Sequence, residues 1–446
     1  MSDFSKLDAL QLEHLRIIAD RTAVALEACG FDALIVHSGR QHPAFLDDQR
    51  YPFRANPHFS WWVPRQDLPD CLLRIEPGRK PLLLFHSPAD FWHLPPAMPS
   101  GVWTSRFDIR PVRDRAEILA ALPRPDSRTA FVGEAFGEAG DLSPATANPP
   151  ALLRWLHEQR VRKTDYEIAC LREASRLGAA GHWAARQAQL SGASEFGIHQ
   201  AFLAGCAQRE QELPYQAIVA RGQHGATLHY QSLDRDAPHS PTSLLIDAGA
   251  GFRGYGSDIT RSWPARQDDE FGALVAGLDA MQQNLCRKVR AGESWQDLHL
   301  QAHLGISSLL READVLRIPP EAAVEEGISS VFLPHGLGHL LGLQVHDVAG
   351  FHPTPDGAPI PPPKGHEWLR LTRPLVEGMV VTMEPGLYFI DLLLDRLRTG
   401  HHAAAVNWEL VDKLLPHGGI RIEDNLVVGL QGSENLTRDA MRQSLA

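Results

Sequence analysis

No stretch of the 446-residue chain approaches the roughly 18 consecutive apolar residues that cross a bilayer. The N-terminal segment MSDFSKLDALQLEHLRIIADR carries charges throughout and has no apolar core of a secretory signal. Cysteine is scarce: Cys29, Cys71, Cys170, Cys206 and Cys286 are scattered, with no CxxC pair. An odd, dispersed set in a chain this long points to reduced thiols, so a soluble cytoplasmic protein is expected. Positive charge is also in deficit. With 43 Lys and Arg against 54 Asp and Glu, the net charge of −11 argues against nucleic acid or an anionic membrane as partner.

What is present is enough apolar material for two cores, 43% of the residues. LDALQLEHLRIIADRTAVALEACG reads as an amphipathic helix ended by Gly30, DALIVHSG and KPLLLFHSP as strands, and DRAEILAALP as a further helix. This alternation predicts an α/β N-terminal domain over residues 1–160. The proline-rich stretch DLSPATANPPALLRWL interrupts the pattern and marks the boundary. Residues 161–446 form the second domain, with long helices and with short strand-like motifs between them. HPTPDGAPIPPPKGHE is too rich in proline for regular structure and reads as a loop near the functional site.

The most informative residues are four carboxylates and one histidine. Asp247 lies in LLIDAG, Asp258 in GYGSDITRSW, His339 in LPHGLGH, Glu384 in VVTMEPGLYF and Glu423 in GIRIEDN. If LLIDAGA and GYGSDIT are strands joined at Phe252–Arg253, Asp247 pairs directly with Asp258 on one face. Opposed carboxylates repel, so such a pair makes sense around a cation. The run of apolar residues before Glu384 places that acid at the end of a buried strand, and alternation in GIRIEDN turns Arg421 and Glu423 to one side. His335 and His339 have the spacing of helical zinc ligands, yet Gly336 and Gly338 speak for close backbone approach rather than a helix. One histidine is therefore assigned to metal and the other left for substrate. Together the five groups make up the ligand set of a site for two divalent cations.

In this order, and together with FLDDQRYPFRANPHFSWWVP, DFWH, KTDYEIACLREA and GLGHLLGLQVHDVAGF, the motifs resemble the metallopeptidases of the pita-bread fold, over nearly the whole chain. Within them the likeness is to the bacterial Xaa-Pro dipeptidase (prolidase) group, which also includes organophosphorus acid anhydrolase. It implies an α+β pita-bread catalytic domain behind the α/β domain. It also implies that Asp258 and Glu423 bridge two metals, that Asp247 binds one of them, and that His339 and Glu384 bind the other. Oxygen donors with one imidazole favour Mn²⁺ over Co²⁺, Fe²⁺ or Zn²⁺. Glu384 is suited to shuttle a proton from water to the leaving nitrogen.

The same resemblance places His229, His335, His346, Arg370 and Arg421 around a dipeptide, with Arg370 on its terminal carboxylate. Tyr215, Leu228, Val345 and Leu369 would shape the side-chain pockets. Asp48, in FLDD, would reach the partner's active site in a homodimer. Three functions are thus in view: Xaa-Pro dipeptide hydrolysis, with organophosphate triesters as a side reaction; cleavage of longer Xaa-Pro peptides; and a non-catalytic binding protein on the same fold.

Overall fold

The computed structural model describes residues 2–134 and 145–443. The Asp141–Pro144 start of the proline-rich stretch lies outside them. The chain divides into two compact units, Met1–Ala169 and Cys170–Ala446.

The first unit is built on a mixed six-stranded sheet: β1 (Ala33–His37), β2 (Leu72–Ile75), β3 (Leu82–His86), β4 (Asp108–Val112), β5 (Thr129–Val132) and β6 (Thr146–Ala147), in the order β4-β3-β2-β1-β5-β6. β1 is buried along its whole length and runs parallel to β5, as its unbroken apolar sequence requires. Ile35, Leu72, Leu84 and Phe131 pack on Ile118 of the helix Arg115–Ala121, which Asp114 caps by accepting from the Glu117 N–H. The N-terminal helix runs Ser2–Cys29, and Gly30 leaves it at φ +74°. Its Arg21 donates to the carbonyls of Gln159 and Arg162 at 2.8 Å each, closing the end of the helix Pro150–Val161. That helix begins inside the proline-rich stretch, because a proline in the first turn costs no hydrogen bond.

The second unit carries the functional motifs on short strands: β7 (Ile218–Arg221), β8 (Leu244–Asp247), β9 (Gly251–Phe252), β10 (Tyr255–Gly256), β11 (Thr260–Trp263), β12 (Val380–Met383), β13 (Gly386–Tyr388), β14 (Gly419–Arg421), β15 (Asp424–Val428) and β16 (Ser433–Asn435). Alternation decides their faces. Leu244 and Ile246 of β8 pack with Val219 against Ile198 and Phe202 of the helix Glu195–Cys206, while Leu245 packs with Tyr388 on the opposite side. Asp247 follows Leu245 to that opposite face.

One expectation is corrected here. The turn between β9 and β10 is centred on Arg253 and Gly254, both with positive φ, as a two-residue type I′ hairpin demands. That is one residue beyond Phe252–Arg253, so the partner of Asp247 shifts by two, from Asp258 to Thr260. A two-residue shift preserves the face, and Asp258 sits diagonal to Asp247 on the same side.

β12–β13 and β15–β14 share one register across a gap: Met383 faces Asp424 and Gly386 faces Arg421, which leaves Glu384 opposite Glu423. A bridge between Thr260 and Glu423 joins this ladder to β11, and one between Leu340 and Val381 draws in the segment after His339. Gly338 makes the second junction feasible, since a Cβ there would lie 2.2 Å from the Thr382 carbonyl oxygen. Gly338→Ala is expected to lower stability in urea by about 1–3 kcal/mol, the usual cost of overpacking a fixed contact. Wild-type stability in this variant would contradict the close approach.

Candidate metal centre

The strand ends bring the five predicted donors together. Nε2 of His339 lies 3.4 Å from the Asp258 carboxylate and 3.6 Å from that of Glu384. Asp258, His339 and Glu423 each present a donor atom within 4.8 Å of the other two. His339 Nδ1 is 3.0 Å from the Leu340 carbonyl, a contact that places the proton on Nδ1 and leaves Nε2 as a ligand atom. Glu423 accepts from the Thr260 hydroxyl at 2.7 Å. Asp247 accepts from Tyr215 and from Arg421, both at 2.6 Å. Glu423 and Asp247 are thus aimed by neighbours while keeping lone pairs for a cation, and a hard oxygen-rich set with one imidazole suits divalent ions.

Behind these donors lies a second polar layer. Asp424, next to Glu423 and fully buried, pairs with Arg261 at 2.7 Å and Arg438 at 2.6 Å. Burial alone would raise this carboxyl, but the two guanidinium groups outweigh it and hold Asp424 at about 2. Arg261 also donates to the carbonyls of Thr260 and Glu423, tying the two strands where they bridge.

Three of the four metal-facing carboxyls behave in the opposite way. Burial, with Asp258 and Asp247 adding to it against His339 and Arg421, raises Glu384 to about 7; burial and then Asp258, Glu384 and Asp247 raise Glu423 well above the usual carboxylate range. Burial also raises Asp247, against the pull of Arg421. Asp258 goes down: burial opposes ionisation, but the hydrogen bond and charge of His339 prevail.

The other predicted residues fall into three groups. His335 joins the cluster: its Nε2 is 3.0 Å from the Tyr388 hydroxyl and its Nδ1 3.8 Å from Glu384. Burial first, then Arg421, pushes His335 down to about 3, so it is a neutral ring. His346 packs edge-on to His339 at 4.4 Å between centroids, and desolvation, His339 and Arg370 lower its proton affinity in that order. His229 adds a weaker field at both His335 and His346. Arg370 and His229 are exposed, Leu369 is buried, and Val345 and Leu228 are half-buried. Arg421 is more committed than its sequence position suggests, bonding Asp247, the Tyr388 hydroxyl at 2.7 Å and Thr260. Asp48 belongs to the first unit, in an exposed turn within the Pro43–Arg50 hairpin. Tyr388 and Thr260 were not among the sequence candidates. Alternation from Glu384 through Gly386 to Tyr388, and from Asp258 to Thr260, carried the signal.

Comparison with known proteins agrees with this geometry. The family model described as "Xaa-Pro dipeptidase, N-terminal domain" matches residues 9–157, and that of metallopeptidase family M24 matches residues 169–429. The chain belongs to metallopeptidase family M24. It is 46% identical over 432 residues to a protein named Xaa-Pro dipeptidase from Stenotrophomonas maltophilia, with 97% of each chain covered. It is 47% identical to one from Xanthomonas oryzae pv. oryzae, covering 97% of this chain and 98% of that one. Aminopeptidase P from E. coli, solved with the inhibitor Pro-Leu, superposes with a TM-score of 0.73 at 22% identity, over 98% of this chain and 99% of that one. At that identity the match speaks for the fold. The protein is a metal-dependent peptide hydrolase with an N-terminal α/β domain and an M24 catalytic domain.

Raised carboxyls make metal uptake depend on pH. A group held up at about 7 keeps its proton below that pH, and a divalent cation must displace it. Affinity should therefore rise with pH and be at least about tenfold weaker at pH 6 than at pH 8. Calorimetric titration in buffers of different ionisation enthalpy would show the released protons; binding that is independent of both pH and buffer would contradict the assignment.

Proposed function

We propose that the protein hydrolyses Xaa-Pro dipeptides at a dinuclear centre, with Mn²⁺ as the working metal. The observation that carries the substrate class is the 46–47% identity along 97% of the chain to proteins named Xaa-Pro dipeptidase. Asp247, Asp258, His339, Glu384 and Glu423 would hold the two ions. When bound, divalent cations supply Lewis acidity, polarising the scissile carbonyl and making water nucleophilic near neutral pH.

The chain's own residues do the rest. Glu384, beside His339 and His335, is suited to accept a proton from water and pass it to the proline nitrogen. The neutral ring of His335 is fixed between the Gly336 carbonyl at Nδ1 and the Tyr388 hydroxyl at Nε2, so it is read as a wall of the substrate site, with His346 as a second one. Arg421 orients Asp247 and opposes the rise that burial imposes on its carboxyl. Arg370, exposed and near His346, offers a planar fork to the terminal carboxylate, with His229 beside it. Tyr215, Leu228, Val345 and Leu369 bound the side-chain pockets. A tertiary Xaa-Pro amide lacks the N–H by which strand-docking proteases hold substrates, so reading both ends is the remaining means of selection.

Asp48 is assigned to the substrate's amino end in a partner subunit. Phe45 and Leu46, 87% and 91% exposed beside it, favour burial in a homodimer. Organophosphate triesters, whose tetrahedral phosphorus resembles the hydrolytic intermediate, are a secondary substrate class for the same groups. A cytoplasmic location accords with the cysteines, none of which forms a disulfide among the described residues. None of the described helices is long and apolar enough to cross a membrane.

Metal-loaded protein should release proline from Gly-Pro and Leu-Pro much faster than it cleaves a Leu-Pro-Xaa tripeptide. Comparable rates would favour the aminopeptidase reading instead, and no cleavage of either would favour a binding protein. Arg370→Ala should raise KM for dipeptides by about 10- to 100-fold, the worth of a charged hydrogen bond, while an amidated Xaa-Pro substrate loses little further rate. Equal losses for both substrates would make Arg370 structural.

A further inference from the structure

We propose that His299, His303 and His366 form a separate binding site for one imidazole-seeking divalent cation such as Zn²⁺. His299 and His303 lie one turn apart on one face of the helix Trp295–Glu312, whose start Ser294 caps by accepting from the Asp297 N–H. Both are only 1% exposed. His366 comes from the proline-rich loop and closes over them: its Nδ1 lies 3.0 Å from Nε2 of His299, and the three rings sit edge-on with centroids 4.5–4.8 Å apart. One nitrogen from each ring falls within 4.8 Å of the other two.

Hydrogen bonding alone does not account for this arrangement. His303 Nδ1 is 2.9 Å from the Ser329 hydroxyl, while its buried Nε2 has no hydrogen-bond partner among the described residues, nor has the buried Nδ1 of His299. Polar atoms in a dry interior are ordinarily satisfied, so the orphaned Nε2 of His303, in a cluster with two further imidazoles, calls for a partner. A cation bound by His303 Nε2, His299 Nε2 and His366 Nδ1 would take up the His303 lone pair and replace the His299–His366 hydrogen bond, with Ser329 orienting His303 as outer partners of metal-bound histidines do. Burial holds His299 and His303 at about 2 and about 3, so both rings are unprotonated and available at neutral pH.

Three neutral imidazoles with no carboxylate suit Zn²⁺, Cu²⁺ or Ni²⁺ and disfavour Mn²⁺, the opposite bias to the oxygen-rich centre. Occupancy would pin the proline-rich loop, already held by the Gln296 amide donating to the Pro361 carbonyl at 3.0 Å, ahead of Leu369 and Arg370.

The test is a titration of the metal-free full-length protein with Zn²⁺ alone, counting bound ions by elemental analysis after desalting. Wild type should hold one more Zn²⁺ per chain than His366→Gln, whatever the number at the carboxylate centre, and the variant should bind the last ion at least tenfold more weakly. X-ray absorption at the zinc edge should lose imidazole scattering in step. His366 is half-buried on a loop, so the variant should keep the metal-free melting temperature; if it does not, His299→Gln replaces it in the same count. Equal zinc counts in wild type and variant, or an extra ion without imidazole scattering, would overturn the proposal. Failure of dipeptide hydrolysis would leave it standing, since the count does not depend on substrate.

Discussion

Mutual repulsion among four carboxylates is the constraint around which the second unit is organised. Asp247, Asp258, Glu384 and Glu423 converge at strand ends, and among the described residues only Asp247 of the four has a guanidinium ion pair, with Arg421 at 2.6 Å. The scaffold absorbs this by steric locking. Thr260 and Glu423 bridge two sheets, Gly338 lets the His339 segment touch β12, and Arg261 with Arg438 anchors Asp424 immediately behind Glu423. A buried pair of this kind contributes little net stability, but loss of one partner costs several kcal/mol, so it fixes geometry rather than adding energy. Divalent cations then convert the repulsion into binding free energy, and the raised carboxyls set the pH at which they can do so.

The layering also separates chemical roles. The rear layer, Asp424 with its two arginines, is permanently ionised. The middle layer of Asp258, His339 and Glu423 offers donors to cations. The front layer contains neutral His335, tunable Glu384 and the exposed Arg370, which can meet a substrate. One register, kept across the gap where Glu384 lies opposite Glu423, links these layers, so a change in strand register would disturb them together.

Much of this was legible in the sequence, because period-two alternation and glycine placement act locally. The faces of Asp247, Asp258, Arg421 and Glu423 followed from them, as did the non-helical HGLGH segment. The hairpin register did not. It depended on whether φ turned positive at Phe252–Arg253 or at Arg253–Gly254, and a one-residue choice there moves the cross-strand partner by two. Arg421 looked like a substrate residue; its engagement by Tyr388, Thr260 and Asp247 arises from strands distant in sequence. The clustering of His366 with His299 and His303 was equally hidden, since a proline-rich loop has no periodicity from which to infer where it lands.

The most direct test of the central claim is the Mn²⁺ content of wild type and Glu423→Gln, measured by elemental analysis after equilibration at pH 8. If Glu423 is shared by two cations, the wild type holds two Mn²⁺ per chain, and removing one charge from the shared ligand weakens both and abolishes peptide hydrolysis. Two Mn²⁺ retained with normal turnover in Glu423→Gln would contradict the account.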